Sequence, residues 1–237
     1  MILLFTDFGH DGPYAGQLRM VLAQRAPQVP VVDLMADAPA WKIKESAYLL
    51  AALAERTPQD SVLMAVVDPG VGGERPALAI RSGGRWLVGP GNGLFEPLLR
   101  RWGVEACYRI LPPPGLTVSA SFHGRDLFAP TAAELAQGSL PDWLEPCPPP
   151  RVSDWPDDLA AVVYADRYGN LMTGLRASAL PQGARLLNLP RCRTFSDLPP
   201  GAAFCYENSN GLLEIAVNQG SAQDHFALSV GDVISIS

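Results

Sequence analysis

A proline-rich stretch divides this chain into two parts with different patterns of apolar residues. Prolines occupy positions 141, 146, 148, 149, 150 and 156. Proline fixes φ and lacks an amide hydrogen, so such a stretch holds neither a helix nor a central strand. The sequence therefore predicts a linker over residues 141–158, between one domain at residues 1–140 and a second at residues 159–237.

Before the linker, apolar runs typical of buried strands alternate with segments of helical spacing. Helices are predicted at Tyr14–Arg25, Ile43–Arg56 and Leu94–Trp102. Strands are predicted at Ile2–Thr6, Val31–Leu34, Val62–Val67, Ala77–Arg81, Trp86–Val88 and Cys107–Ile110. This order favours the α/β class, with an N-terminal α/β domain built on a largely parallel central sheet.

After the linker, short apolar runs are separated by glycine, asparagine and proline. The predicted strands are Ala160–Ala165, Leu171–Thr173, Arg185–Leu189, Ala202–Cys205, Leu212–Val217 and Val230–Ile236. Many short strands with frequent turn residues indicate a small C-terminal antiparallel β domain, either a barrel or a sandwich.

Composition excludes several classes of partner and location. The net charge is −6 and the basic residues are scattered, which makes nucleic acid a poor candidate partner. No apolar run approaches the ~20 residues that span a bilayer, so no membrane partner is expected. The N-terminus MILLFTDFGH has no basic segment and is interpreted as a first strand instead of a signal peptide, which favours a cytoplasmic protein.

Cysteine and histidine spacing argues against metal and redox chemistry. Cys107, Cys147, Cys192 and Cys205 form no C-x-x-C pair, so we expect no zinc site, redox dithiol or disulfide framework. His10, His123 and His225 show no paired spacing, so no metal is expected.

Acidic residues follow two predicted strands of the first domain. Asp7 comes after Ile2–Thr6 and Asp68 after Val62–Val67, at the strand ends where open α/β sheets bind ligands. A third candidate is SFHGRD, which carries His123, Arg125 and Asp126. Each has a structural alternative, since Asp7 can cap a turn, Asp68-Pro-Gly is an ordinary turn sequence and single histidines are commonly structural.

The glycine-rich stretches do not match nucleotide-binding motifs. GVGGER lacks the lysine of a P-loop, and GPGNG at residues 89–93 lacks the spacing of a dinucleotide fingerprint. A nicotinamide dehydrogenase is therefore disfavoured.

Six motifs together resemble the S-adenosylmethionine (SAM) hydroxide adenosyltransferases, relatives of the fluorinases and chlorinases. They occur in the family's order and span nearly the whole chain: TDFG (6–9), VVDPGVGGER (66–75), GPGNGL (89–94), FHGRD (122–126), YGN (168–170) and NSNGLLEIAVNQG (208–220). The resemblance implies an N-terminal α/β domain and a C-terminal β-barrel. It also implies a homotrimer with active sites at subunit interfaces.

The resemblance assigns roles to individual residues. Asp68, Arg75 and His123 match a triad that activates water. Asp7 matches a residue that binds the ribose hydroxyls, which is suitable chemistry for a carboxylate. The other matches to substrate-binding positions are Asp11, Trp41, Tyr168, Asn170, Phe195, Ser209 and Asn218.

Two positions depart from the family pattern. The acidic residue that often lies five positions after the TDFG aspartate is replaced by Gly12, with Asp11 adjacent, and Asn210 stands where the fluorinase has an arginine. The contacts to the methionine amino and carboxylate groups are therefore left open.

The expected reaction is metal-independent and cofactor-independent hydrolysis of SAM at C5′ to adenosine and L-methionine. The leaving group is a neutral thioether, so the reaction needs a positioned water and not a general acid. The residues leave open whether Asp68 or His123 takes the proton. A chlorinase-like halogenase and a non-catalytic SAM or adenosine sensor are the alternatives, and Asp68 disfavours the first because its negative charge would repel a halide.

Overall fold

The computed structural model describes residues 1–152 and 154–237, which form two compact units. The first contains residues 1–43 and 56–152, and the second contains residues 44–55 and 154–237. The helix over Ile43–Ala54 thus groups almost entirely with the C-terminal part of the chain. The predicted domain boundaries at 140/141 and 158/159 stay a prediction.

The first unit is built on one seven-stranded sheet. Its order is β2-β1-β3-β5-β4-β6-β7. The strands are β1 Ile2–Thr6, β2 Val31–Met35, β3 Val62–Val66, β4 Ala77–Ser82, β5 Arg85–Pro90, β6 Ala106–Ile110 and β7 Leu144–Pro146. Both β1 and β3 are buried along their whole length, which explains their unbroken apolar sequences.

The prediction of a largely parallel sheet is wrong for half of this sheet. β1 pairs in parallel with β2 and β3, and β3 with β5. The pairs β4–β5, β4–β6 and β6–β7 are antiparallel. Gly83 and Gly84, both with positive φ, join β4 to β5 as a tight hairpin, and a two-residue connection can only link antiparallel strands.

Helices of the first unit are α1 Pro13–Arg25, α3 Glu96–Trp102 and α4 Ala129–Ala136. Helix α1 buries Ala15, Leu18 and Leu22 and packs on α4. The sequence pattern did not predict α4, whose first turn contains Pro130; proline is tolerated there because the amide would be unbonded anyway. A π-helical turn at Gly124–Phe128 leads directly into α4, a geometry often found at functional sites.

The second unit holds a four-stranded antiparallel sheet of order β10-β11-β9-β8. Its elements are β8 Leu159–Ala165, β9 Leu171–Arg176, β10 Ala203–Glu207, β11 Leu212–Val217, α2 Ile43–Ala54 and α5 Ala222–Phe226. Residues of β8, β9 and β11, including Val162, Leu171 and Ile215, form its apolar core. The predicted antiparallel β domain is confirmed at this level.

Two predicted strands of the second unit are only isolated bridges. Leu186 bridges Ile236, and Val233 bridges Ala161. The predicted strand Arg185–Leu189 is interrupted because Leu187 and Asn188 have φ of 53° and 60°, in the left-handed region. Gly231, with φ of 98°, likewise interrupts the predicted strand Val230–Ile236. Neither segment is a regular strand.

Within residues 1–152 and 154–237, no helix combines the length and apolarity needed to cross a membrane.

Gly89 on β5 lies where its neighbours leave no room for a side chain. A Cβ there would lie 2.2 Å from the carbonyl oxygen of Ala65 and 3.0 Å from the Phe95 ring. We expect Gly89→Ala to lower the free energy of unfolding by about 1–3 kcal/mol, because the backbone must shift to accommodate the methyl group.

Gly16 in α1 is the matched control, since nothing lies within 4 Å of its Cβ position. Gly16→Ala should raise stability by roughly 0.5–1 kcal/mol through helix propensity. Urea unfolding of both variants checks the pair. Equal effects at the two positions would contradict the proposed steric origin.

Candidate active site

Parallel pairing of β1 and β3 brings two aspartates together at one edge of the sheet. Thr6 lies opposite Val66 in the register, so Asp7 and Asp68 both follow the carboxyl ends of neighbouring strands. Burial raises the pKa of Asp7, and the negative charge of Asp68 raises it further. Hydrogen bonds from the backbone amides of Asp7 itself and of Trp41 lower this pKa and partly offset the rise.

Arg75 holds the Asp68 carboxylate in a bidentate ion pair. Its Nε donates to Asp68 Oδ1 at 3.0 Å and its Nη2 donates to Asp68 Oδ2. The two side chains are only 10% and 4% exposed. Removing one partner of such a buried pair leaves an uncompensated charge, which costs about 3–5 kcal/mol.

The loop that carries both residues, between β3 and β4, is folded tightly. Gly72 has φ of 78°, and a Cβ there would lie 2.4 Å from the Ala120 carbonyl oxygen. This close approach joins the loop to the segment that precedes His123.

His123 completes a line of contacts from Asp68. Arg75 Nη2 lies 2.9 Å from His123 Nδ1. Because a guanidinium has only donors, Nδ1 must be the acceptor, and the neutral imidazole therefore carries its hydrogen on Nε2. Burial and the Arg75 charge lower the pKa of His123, which keeps the ring neutral. Among the described residues, nothing is bonded to Nε2.

Asp68 and His123 border a hollow of about 410 Å³, named here the Asp7 hollow. Its lining comprises Asp7, Phe8, Tyr14, Gln17, Trp41, Val66, Asp68, Pro69, Val71, Ser119, Ser121, Phe122, His123, Gly124 and Arg125. Trp41 has φ of 62° and a side chain that is 79% exposed. A bulky residue in this backbone region is strained, and such strain is frequent at ligand sites.

The predicted site residues do not include three aromatic residues that line the Asp7 hollow. The rings of Phe8, Tyr14 and Phe122 pack together with centroids 5.2–5.9 Å apart. Arg125, a candidate from the SFHGRD segment, lies on the π-helical turn and donates to Asp126 and to Gln17 Oε1. Aromatic residues at scattered positions give no periodic signal, so only the fold could unite them.

GPGNG, which resembles no nucleotide motif, has a structural role beside Asp68. Asn92 Nδ2 donates to the Val67 carbonyl at 2.9 Å, immediately before Asp68. Asn92 Oδ1 accepts from the Leu94 amide at 3.2 Å. The motif thus fixes the end of β3 from which Asp68 projects.

A second hollow, of about 580 Å³, lies in the second unit and is named here the Tyr168 hollow. Its lining comprises Asp166, Tyr168, Asn170, Phe195, Val217, Gln219 and Gly220. Tyr168 is 71% exposed, which leaves its ring free to stack on a flat ligand.

Asp166, absent from the predicted set, shapes the turn that carries Tyr168 and Asn170. Its Oδ1 accepts from the amides of both residues at 2.8 and 2.9 Å. Its Oδ2 accepts from Asn170 Nδ2 at 2.9 Å. Within the described chain Asn170 Oδ1 accepts no hydrogen bond, so it can serve a ligand. An aspartate two residues before Tyr168, the spacing of an Asx turn, is the signal that could have identified Asp166.

Four predicted site residues line neither hollow. Arg75 is one of them and reaches the Asp7 hollow only through its contacts with Asp68 and His123. Asp11 and Ser209 are exposed. Asn218 donates from Nδ2 to the Leu198 carbonyl at 2.7 Å, so its amide is used in the fold. Its neighbour Gln219, with φ of 58°, lines the Tyr168 hollow instead.

A buried carboxylate supports one wall of the Tyr168 hollow. Glu214 accepts from Tyr206 Oη at 2.5 Å and from Asn208 Nδ2 at 2.8 Å. The Tyr206 ring packs against Phe195 with centroids 5.4 Å apart. Burial raises the pKa of Glu214, opposed by the two hydrogen bonds. The network thus holds Phe195 in place.

In the part of the chain that the structure describes, no three histidine, cysteine or acidic side chains are grouped as a metal site would require.

Two family models cover almost the entire chain. The SAM hydroxide adenosyltransferase N-terminal domain matches residues 2–145, and the C-terminal domain of the same family matches residues 160–235. The chain belongs to the SAM hydroxide adenosyltransferase family. The resemblance seen in the six motifs is confirmed.

Relatives agree with this assignment. A protein of Thermus thermophilus named (R)-S-adenosyl-L-methionine hydrolase is 38% identical, with 97% of this chain and 96% of the relative covered. One of Salinispora arenicola with the same name is 36% identical, with 98% and 95% covered. Among solved structures, an uncharacterized conserved protein from Thermotoga maritima has a TM-score of 0.88 and 25% identity, covering 100% of this chain and 99% of that one.

The raised pKa of Glu214 gives a testable pH dependence in this family member. The folded chain holds this proton more tightly than the unfolded chain, so the stabilising contribution is complete below the ordinary pKa of 4.5. It is lost as pH rises through the folded pKa. Glu214→Gln removes the titration, so the variant should gain stability relative to the wild type as pH rises.

Denaturant unfolding of both proteins between pH 4 and pH 8 measures this difference. Glu207→Gln, at an exposed position on β10, controls for the loss of one negative charge. A Glu214→Gln variant that loses stability relative to the wild type as pH rises would show that the carboxylate form is the favoured one.

Proposed function

We propose that this protein hydrolyses S-adenosyl-L-methionine to adenosine and L-methionine, with water as the nucleophile at C5′. The observation that carries the proposal is the chain of contacts Asp68–Arg75–His123 at the Asp7 hollow. A binding protein without catalysis would have no use for a buried ion pair linked to an imidazole whose Nε2 is open.

The substrate's own chemistry explains why this machinery suffices. The sulfonium departs as a neutral thioether, so no side chain has to protonate the leaving group. The site must hold one water in line with the C5′–S bond, and such positioning can lower a barrier by up to about 7–11 kcal/mol. Proton removal from the water adds roughly 10²–10⁴ in rate.

In this proposal, Asp68 is the base and His123 orients the water. His123 Nδ1 is occupied by the Arg75 donor, so Nε2–H can only donate to the water oxygen. The Asp68 carboxylate retains free lone pairs beside its two bonds from Arg75 and can accept a water proton. The remaining oxygen lone pair of the water then attacks C5′.

Substrate recognition is assigned to both hollows. The Asp7 carboxylate accepts from the two ribose hydroxyls, and Trp41 packs along the ribose and methionine chain. Tyr168 and Phe195 flank the adenine, while Asn170 Oδ1 reads its edge. Asp11, Ser209 and Asn218 complete the proposed substrate-binding set, although they line neither hollow.

Two finer features of the family are also proposed for this chain. The first is a homotrimer with active sites at subunit interfaces, for which light scattering would return the mass of three chains. The second is closure of the small antiparallel sheet into a barrel. It is supported by amide bonds from Leu187 to the Ser235 carbonyl and from Cys192 to the Cys205 carbonyl, which slow hydrogen exchange at these amides would test.

The activity is tested by incubating the purified protein with SAM and separating the products. We expect equal amounts of adenosine and methionine, with no effect of EDTA. In ¹⁸O-water the label should enter the 5′-hydroxyl of adenosine, because attack occurs at C5′. Methylthioadenosine as the sole nucleoside, or no turnover, would refute hydrolysis. A 5′-chloro product in chloride buffer would favour the halogenase alternative.

Variants separate the proposed roles of Asp68 and His123. Asp68→Asn removes the base and should lower kcat by about 10²–10⁴. His123→Gln keeps an N–H donor at the Nε2 position but cannot titrate, so kcat should stay within about tenfold of the wild type.

His10→Gln, at an exposed position outside the Asp7 hollow, is the matched control and should leave kcat unchanged. Binding of SAM, measured by calorimetry, should persist in all three variants. If His123→Gln is as inactive as Asp68→Asn, then His123 is the base.

A further inference from the structure

Two cysteines distant in sequence face each other across neighbouring strands. The antiparallel β6–β7 register pairs Tyr108 with Pro146. One residue further along, the same register places Cys107 opposite Cys147. The Cys147 amide donates to the Cys107 carbonyl at 3.0 Å. The two cysteines are 40 positions apart and form no C-x-x-C motif, because they meet only when the sheet forms.

The geometry of the pair suits a covalent bond between the two sulfurs. The Sγ atoms are 3.7 Å apart, the separation of a weak hydrogen bond between thiols. Directly opposite, hydrogen-bonded residues of antiparallel strands have Cα atoms about 5.5 Å apart. A disulfide spans roughly 4.4–6.8 Å between Cα atoms, so it can form here without rearrangement of the strands.

We propose that Cys107 and Cys147 form an oxidation site, at which a peroxide converts the two thiols into a disulfide that fastens β7 to β6. In the first step the Cys147 sulfur attacks peroxide, forming a sulfenic acid and releasing water. In the second, the Cys107 sulfur attacks the sulfenic sulfur and releases another water. Two sulfurs are oxidised and one peroxide is reduced.

The order of the two steps follows from the surroundings of the thiols. Cys107 is buried, and burial together with the neighbouring Cys147 raises its pKa to about 12. Cys147 is half-buried and therefore open to a small oxidant. Cys147 thus reacts first, and Cys107 resolves the sulfenic acid.

The consequence of the bond is structural. β7 has three residues, lies at the edge of the sheet and pairs only with β6 among the described strands. Short edge strands separate easily, so a cross-link at this position should raise stability. Asp7 and Asp68 follow β1 and β3, with β5 and β4 between these strands and β6. We therefore expect the cross-link to leave the rate of the enzyme within twofold.

Stoichiometric hydrogen peroxide followed by peptide mapping tests the site. In the wild type, free thiols should fall from four to two. A peptide joining Cys107 to Cys147 should appear within single chains. The melting temperature should rise by roughly 5–10 °C and return on reduction.

Two serine variants provide the controls. Cys147→Ser should abolish the cross-link and the rise in melting temperature, whereas Cys192→Ser should retain both. A disulfide only between chains, one only between Cys192 and Cys205, or sulfinic acid at Cys147 with Cys107 still free would overturn the proposal. An unchanged melting temperature in the cross-linked protein would overturn the fastening of β7.

Discussion

Two carboxylates at the ends of neighbouring parallel strands repel each other, and the first unit depends on the cation that compensates them. The β1–β3 register sets Asp7 beside Asp68, and Arg75 neutralises Asp68 through two hydrogen bonds. Without that guanidinium, the edge of the sheet would bury uncompensated negative charge. The same guanidinium contacts His123. Arg75 therefore both compensates the charge of Asp68 and orients the His123 ring.

This arrangement also determines what the imidazole can do. A histidine whose Nδ1 accepts from arginine cannot receive a proton at that atom, and its Nε2 already carries one. In the proposed hydrolysis the water proton therefore passes to Asp68, while His123 orients the water. A carboxylate that is fixed at both oxygens and still has lone pairs can accept a proton without moving, which keeps the water in line with the bond to be broken.

The second unit uses carboxylates in a different way. Asp166 bonds the amides of Tyr168 and Asn170, and Glu214 holds Tyr206 against Phe195. Both carboxylates act through the residues that line the Tyr168 hollow. The bonds to Asp166 fix the backbone turn that carries Tyr168, and the bond to Glu214 fixes the Tyr206 ring that packs on Phe195.

Much of the fold and the family could be predicted from local pattern. Apolar runs identified β1, β3 and β11, since strands buried on both faces consist mostly of apolar residues. The positions of Asp7 and Asp68 after two such strands indicated a site. Tertiary structure alone decided the rest, because hydrogen bonds and contacts between distant segments leave no periodic trace. It made half of the strand pairs in the first sheet antiparallel, where a largely parallel sheet was predicted, and it interrupted the predicted strand at Leu187. It also placed the hydrogen of His123 on Nε2 and brought Cys107 beside Cys147.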